Sequence, residues 1–336
     1  MTSRKRYSSS IDVARLAGVS QSAVSRTYRE GASVSEETRR KVLEAATALD
    51  YRPSMIPRIM LTHRSYLVAV VVGGLYNPFY ANVLEIFSAR LQEAGYLVLL
   101  IHTDSGHTLD DIIPRLSSYR VDAIVSALAV MSGAAAQDLA RLKIPVVLFN
   151  AALANNWVSS VSSDNVGASR AMAAHLIERG ATRFGFIAGP ANSSASKDRF
   201  AGFRDRLAEN GVQPLAFAEA DYRYEGGRAA ALALFTDTRP PDALFCANDL
   251  MAMGAMDALR TDLGLRVPED VLVAGFDDIP AAAWPSYGLT TVIQDASRMV
   301  DKAIELLRAK MAHHDGPGGI RTIVPATLVA RKSTAR

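Results

Sequence analysis

After residue 66 the chain alternates between two textures. Short apolar runs occur at 67–73, 96–101, 123–128, 145–149, 184–188, 243–247 and 271–276, and amphipathic stretches lie between them at 79–94, 166–179, 199–210, 225–236 and 249–263. A run that is apolar at every position buries both faces, which is the condition of a parallel strand covered by helices on both sides. Two such sets, divided near residue 164, predict two doubly wound α/β subdomains. The stretches 289–293 and 320–332 are expected to cross back and complete the sheets. Ligands of such sheets sit beyond the carboxyl ends of the strands. With two subdomains facing one another, the cleft between them is the natural binding site.

The residues before 66 follow a different pattern. Residues 9–51 read as three short helices with a tight turn between the first two. Ser9 or Ser10 caps the first helix, since a serine oxygen accepts a bond from an orphan N–H of the first turn. Val13, Ala14 and Ala17 share one face, and Gly18 ends the helix because glycine takes the left-handed conformation without a Cβ clash. Ser20 caps the second helix, with Val24 turned inward. The third opens at Ser35, with Glu36 and Glu37 in the turn that the macrodipole favours for acids, and buries Val42, Ala46 and Leu49. The small residues at the first crossing allow a steep, close approach, the geometry of a helix-turn-helix. On its free face the second helix carries Gln21, Ser22, Ser25, Arg26 and Arg29. Arginine pairs with guanine and glutamine with adenine in the major groove, and serine hydroxyls with a helix N-terminus suit phosphate.

Charge agrees with that division. Residues 1–65 hold 12 Lys/Arg against 6 Asp/Glu, whereas the remainder holds 25 against 28. A cationic head is where a polyanion docks. No apolar run approaches the roughly 18 residues of a membrane span, and no apolar signal core follows the basic N-terminus, so a cytoplasmic location is expected. The single cysteine, Cys246, forms no internal disulfide and reads as a small buried hydrophobe.

The motifs Asp-Val-Ala-x-x-Ala-Gly-Val-Ser (12–20), Val-Ser-Arg (24–26), Val-Ser-x-x-Thr-Arg-x-Lys-Val (34–42) and Leu-Asp-Tyr-x-Pro (49–53) resemble the DNA-binding head of the lac repressor and galactose repressor family of bacterial transcription regulators. The resemblance implies a head over 1–53 and a hinge over 54–65. It further implies an effector domain like the periplasmic binding proteins, with one subdomain from 66–164 and 295–323 and the other from 165–294 and 324–336. It implies Ser20, Gln21, Ser22, Ser25, Arg26, Arg29, Thr38 and Met60 as DNA-binding residues, with Met60 at the position of the hinge residue that wedges between base steps. Pro57 stands where the family has alanine and disfavours helix at Ile56, so a weakened hinge helix is expected.

The same resemblance carries the effector site. The loop Tyr76-Asn77-Pro78-Phe79-Tyr80 follows the first strand and implies Tyr76 and Phe79 as ligand contacts, with core packing the equal alternative for Phe79. Asp164 binds effector, caps the next helix (a place Asn165 can also take), or does both. Gly-Pro, a loop, then Arg-x-x-Gly-Phe makes Arg199 the cleft arginine. Tyr222 either stacks on the ligand or packs at the surface. Asn248 in Cys-Ala-Asn-Asp is expected on the effector with Asp249 capping the following helix, and Asp277 and Gln294 complete the set. Guanidinium, amide and carboxylate suit the hydroxyls of a sugar or sugar acid. Phosphate-loop, nucleophile-elbow and zinc-helix patterns are absent from the sequence, and neither a metal nor a cofactor is expected. The apolar residues Phe79, Val83, Ile86, Phe87 and Leu91 of 79–94 offer either a dimer surface or a core face. No leucine-heptad tail follows Arg336, which favours a homodimer on a near-palindromic operator. The rival readings are a solute-binding protein without a regulatory role, which would lack the basic head, and a sugar-modifying enzyme, for which no acid-base pair stands out.

Overall fold

The computed structural model describes residues 8–29, 31–54, 59, 64–103, 109–127, 133–151, 158–212, 215–312 and 319–336. Met60 and Pro57, and with them the expectations about the hinge, lie outside the described residues. The chain forms two compact units, 1–65 and 66–336.

The first unit holds helices α1 (Ser10–Ala17), α2 (Gln21–Thr27) and α3 (Glu36–Ala48). Ser9 is the cap of α1: its hydroxyl accepts the Asp12 N–H, and the Asp12 carboxylate accepts the Ser9 N–H at 3.0 Å. That reciprocal pair satisfies two of the donors a helix start leaves open. Gly18 closes α1 at φ +64. Ser20 and Ser35 cap α2 and α3 through the N–H groups of Ala23 and Thr38. Val13, Ala14, Val24, Val42, Ala45 and Ala46 make a small core, with Ala17, Val19, Leu49 and Tyr51 packed at its rim.

The second unit is built on two parallel sheets. In the first, β1 (Leu67–Val72), β2 (Leu97–His102), β3 (Ala123–Ser126), β4 (Val146–Phe149), β5 (Ser159–Ser163) and β11 (Arg321–Val324) lie in the order β11-β5-β4-β3-β1-β2. Successive β1 residues pack into different cores. Val68, Val70 and Val72 face the side of α4 (Pro78–Glu93) and α11 (Ala296–Ala312), while Ala69 and Val71 meet Leu109, Ile112 and Leu116 of α5 (Leu109–Tyr119) and Leu139 of α6 (Gly133–Arg141). Both faces are covered, as the unbroken apolar run requires. Phe79, Val83, Phe87 and Leu91 are buried in this core. That face of α4 is therefore core, and it does not supply the alternative dimer surface.

The second sheet has the order β7-β6-β8-β9, from β6 (Phe184–Ala188), β7 (Ala216–Glu219), β8 (Ala243–Cys246) and β9 (Leu272–Ala274). Around it lie α7 (Asn165–Glu178), α8 (Ser194–Glu209), α9 (Tyr224–Leu234) and α10 (Asp249–Asp257). Helix pairs meet closely where a side chain would collide: a Cβ at Gly202 would lie 2.3 Å from the Val166 carbonyl oxygen. β10 (Thr291–Gln294) pairs antiparallel with β12 (Ala326–Val329) and touches the second sheet through parallel bridges at Ala274–Thr290 and Asp277–Ile293. The chain thus passes between the halves at residues 164, 295 and 325. Since β11 runs to Val324, the last crossing falls just beyond the expected boundary at 323. Cys246 is fully buried in β8.

Candidate functional site

Parallel strands all deliver their carboxyl ends to one edge, and here two such edges face each other across a cavity of about 550 Å³. The first sheet contributes Gly73, Gly74, Tyr76, Asn77 and Tyr80 after β1, His102 and Thr103 at the end of β2, Ala127 after β3, and Asn150 and Ala151 after β4. The second sheet contributes Pro190 to Ala195 without Ala191, then Arg199, Asp221, Tyr222, Arg223, Asn248 and Asp277. Five of the expected effector residues therefore share one cavity: Tyr76, Arg199, Tyr222, Asn248 and Asp277.

Arg199 is 2% exposed. A buried cation needs fixed partners, and it has them. Its Nε donates to Asn165 at 2.8 Å, its Nη1 donates to the Ala247 carbonyl and lies 3.7 Å from Asp277 Oδ1, and its guanidinium sits 3.6 Å from the Phe276 ring centroid. Asp277 accepts from Asn77 Nδ2 at 2.9 Å, a bond that crosses the cleft, and from Gln294 Nε2 at 2.7 Å. Burial pushes the Asp277 carboxyl above its ordinary range, with Arg199 and the two amides opposing the rise.

Tyr222 has φ +66 and lays its ring across Gly189, where a Cβ would approach the ring to 2.3 Å. Its hydroxyl meets Ser193 Oγ at 2.7 Å. The Tyr76 hydroxyl donates to the Asp221 carbonyl at 3.2 Å, and the Arg223 guanidinium stands 4.0 Å from the Tyr76 ring centroid. These contacts join the two halves at the cavity mouth.

Three expected residues fall elsewhere. Phe79 is buried and packs edge-on against Tyr80 at 5.3 Å. Its i+4 and i+8 neighbours Val83 and Phe87 fix it on the core face of α4, and Tyr80 faces the cavity instead. Asp164 caps α7, its Oδ1 accepting the Gly167 N–H at 2.9 Å, and is not among the lining residues. Gln294 stands behind Asp277, joined to it and, through Oε1, to the Ser163 hydroxyl at 2.7 Å. In the Asn-Asp pair, Asn248 also takes the cap that was expected of Asp249. Asn248 caps α10 by accepting the Met251 N–H at 3.0 Å while donating to the Tyr222 carbonyl at 3.0 Å. Asp249 points away, to Ile279 and Thr291.

Most lining residues, among them Asn77, Tyr80, His102, Asp221 and Arg223, were not expected from the sequence, and two of these stand out. Thr103 and Asn150 are each 7% exposed, and Thr103 Oγ1 and Asn150 Oδ1 have no hydrogen-bond partner among the described residues. Buried polar atoms without partners are rare and call for an occupant. Both residues follow apolar runs recognised in the sequence, so the strand-end rule pointed at them.

In the head, Gln21, Ser22, Ser25, Arg26 and Arg29 are exposed. Gln21 Nε2 donates to Ser10 Oγ at 3.0 Å, and Arg26 Nε donates to the Ser22 carbonyl at 3.4 Å. Ser20 caps α2 and lies 2.9 Å from Ser22 Oγ. Thr38 is half-buried and accepts from Ser35 Oγ at 2.8 Å. Among the described residues no His, Cys, Asp or Glu cluster has the form of a metal site, and no helix is long and apolar enough to cross a membrane.

Residues 11–54 match the family described as bacterial regulatory proteins, lacI family, and residues 173–334 match the periplasmic binding protein-like domain. The transcriptional repressor PurR of Haemophilus influenzae strain PittEE is 30% identical over 339 residues, spanning 96% of this chain and 97% of that protein. A lac repressor dimer bound to operator and the anti-inducer ONPF superposes with a TM-score of 0.87 at 26% identity, over 98% of this chain and all of the other. The regulator CelR in complex with cellobiose gives a TM-score of 0.72 at 30% identity, over 97% and 99% of the two chains. With a relative this similar along nearly its whole length, the chain belongs to the LacI family of bacterial transcription regulators.

Proposed function

We propose that the protein is a homodimeric repressor that binds a near-palindromic operator through α2, and whose operator affinity is set by a neutral, hydroxyl-rich ligand, a sugar, held in the cleft. The observation that carries the ligand class is a pair of buried atoms without a partner among the described residues, Thr103 Oγ1 and Asn150 Oδ1, on the wall opposite Arg199 and Asp277. An amide oxygen accepts only, so Asn150 calls for a donor such as a hydroxyl, and an anionic group would meet it unfavourably. Arg199 supports the same class: Asp277 and a carbonyl already face it, leaving little uncompensated charge for an acid. The neighbour holding cellobiose supports a saccharide in this fold. Operator binding rests on Gln21, Ser22, Ser25 and Arg26, exposed together on a capped helix, and on Arg29, exposed just past its end. Regulation follows if the ligand binds two states of the protein with different affinity.

A thermal-shift screen of neutral mono- and disaccharides, including D-ribose and cellobiose, beside the matching sugar acids tests the ligand class. A ligand that binds only the folded state raises the melting temperature. A neutral sugar is expected to shift it, and Arg199→Ala and Asp277→Ala are each expected to abolish that shift. A response confined to the acids would overturn the neutral class, and a full shift retained in both variants would overturn the cleft assignment. The operator half is tested by gel shift with the responding sugar present and absent.

A further inference from the structure

Asp249 is fully buried and is not among the residues lining the cavity. Its bonds nevertheless converge on the turn that carries Asp277. Its N–H donates to the Phe276 carbonyl at 2.8 Å, its Oδ2 accepts the Ile279 N–H at 2.9 Å, and its Oδ1 accepts the Thr291 hydroxyl at 2.5 Å. Residue 275 is glycine where a Cβ would stand 2.3 Å from the same Oδ1. Between these anchors Asp277 and Asp278 adopt φ +122 and +54, a conformation L residues keep only when their surroundings impose it. Gln294 holds the Asp277 carboxylate and Arg331 pairs with Asp278 at 2.7 Å, but those contacts act on side chains. On the backbone, the Asp277 N–H donates to the Val292 carbonyl at 3.0 Å, and Asp249 adds one bond on each flank, to Phe276 through its own N–H and from Ile279 through its carboxylate, of which the second depends on its side chain.

We propose that Asp249 is a positioning residue for ligand recognition. It locks the turn 276–279 and so aims the Asp277 carboxylate at the cavity and at Asn77 on the opposite wall. The importance of that aim rests on the cleft being the effector site. Helix capping leaves Asp249 free for this role, because Asn248 performs it.

The test is hydrogen exchange on the full-length protein without added ligand, comparing Asp249→Ala, Asp249→Asn and a control, Asp242→Ala. Asp242 is similarly buried, 8% exposed, and accepts the N–H groups of Thr182 and Arg183 at 3.0 and 2.9 Å. It lies at the amino end of β8, away from the cavity. Its loss perturbs the same sheet without touching the turn. Asp249→Ala is expected to speed exchange about tenfold at 276–280 and, across the cleft, at 73–80. Asp249→Asn keeps an acceptor for Ile279 and is expected to restore most of the protection, while Asp242→Ala leaves both segments at the wild-type rate. The proposal is overturned if Asp249→Ala opens these segments no more than Asp242→Ala does, or opens 276–280 while 73–80 stays protected. Should Asp249→Ala fail to fold, Gly275→Ala pushes a methyl against Oδ1 and is expected to loosen both segments, and wild-type exchange there would overturn the proposal. Because no ligand is present, failure of the sugar screen would strike the effector reading and leave this result standing.

Discussion

Asp249 and Asp277 are two acids buried side by side, and only Asp277 has a guanidinium beside it. Burial, reinforced by the Asp277 charge, pushes Asp249 up to about 8 against the bonds from Thr291 and Ile279. An acid whose pKa is higher folded than unfolded binds more protons in the native state, so stability falls as pH rises between the two values. The contribution is fully present below the ordinary value of 3.8 and is lost as pH passes about 8. Asp249→Asn cannot ionise. The melting temperature of the wild type relative to this variant is therefore expected to fall steadily from pH 5 to 8.5. A constant difference over that interval would mean that the carboxyl is ionised throughout. At this scale the sequence was a partial guide. The place of Arg199 and Asp277 in the cavity was legible because Arg199 opens Arg-x-x-Gly-Phe and Asp277 directly follows the apolar run 271–276. That Asn248 and not Asp249 caps α10 was not, since both amide and carboxylate can cap and only the path of 276–279 decides which of them does.

The elements divide in the same way. The three head helices were legible because each start carries its own serine cap and the one tight turn carries a glycine. Strands with continuous apolar runs were equally plain. β5 was weaker: its sequence is Ser-Ser-Val-Ser-Ser, yet it is buried throughout because β4 and β11 pair with it on either side. Hydroxyls hide that burial from any apolar pattern. β7 is an edge strand with alternating exposure, and α5 carries Pro114 within it, so neither showed the expected signature. Helix α8 begins at Ser194, five residues before the expected start, because Ser193 caps it through the Ser196 N–H. For α2 the bonding pattern separates two kinds of residue. The Ser20 oxygen is engaged at the helix start, whereas Arg26 is exposed. Ser20→Ala is expected to lower head stability by about 1 kcal/mol and to weaken operator and random DNA by similar factors. Arg26→Ala is expected to cost about 1–3 kcal/mol on operator and relax one base position. Gel shifts of both variants against both DNAs check this, and a wild-type operator preference in Arg26→Ala would refute the assignment of α2.

Across the whole effector unit, the cleft is bridged at two depths. Inside, Asn77 reaches Asp277 at 2.9 Å, and at the mouth Tyr76 meets the Asp221 carbonyl while Arg223 covers its ring. Tyr76 and Arg223 line the cavity and are exposed, so a ligand that leaves between them is expected to part them. Tyr76 is 41% exposed, and its removal leaves the core intact, with an expected stability change within about 0.5 kcal/mol. A contact made in only one of two states shifts the equilibrium between them by its full differential worth, and this bridge is expected to form only where the halves stand as close as they do here. Tyr76→Ala is therefore expected to leave the melting temperature of the free protein nearly unchanged, to speed dissociation of the responding sugar about tenfold, which corresponds to roughly 1.4 kcal/mol, and to shrink the change in operator affinity that the sugar produces. Stopped-flow displacement and gel shifts read the two effects separately. Unaltered dissociation would mean that the mouth contacts do not hold the cleft shut. Faster dissociation with undiminished operator response would mean that closure retains the ligand but does not carry its signal to the DNA-binding head.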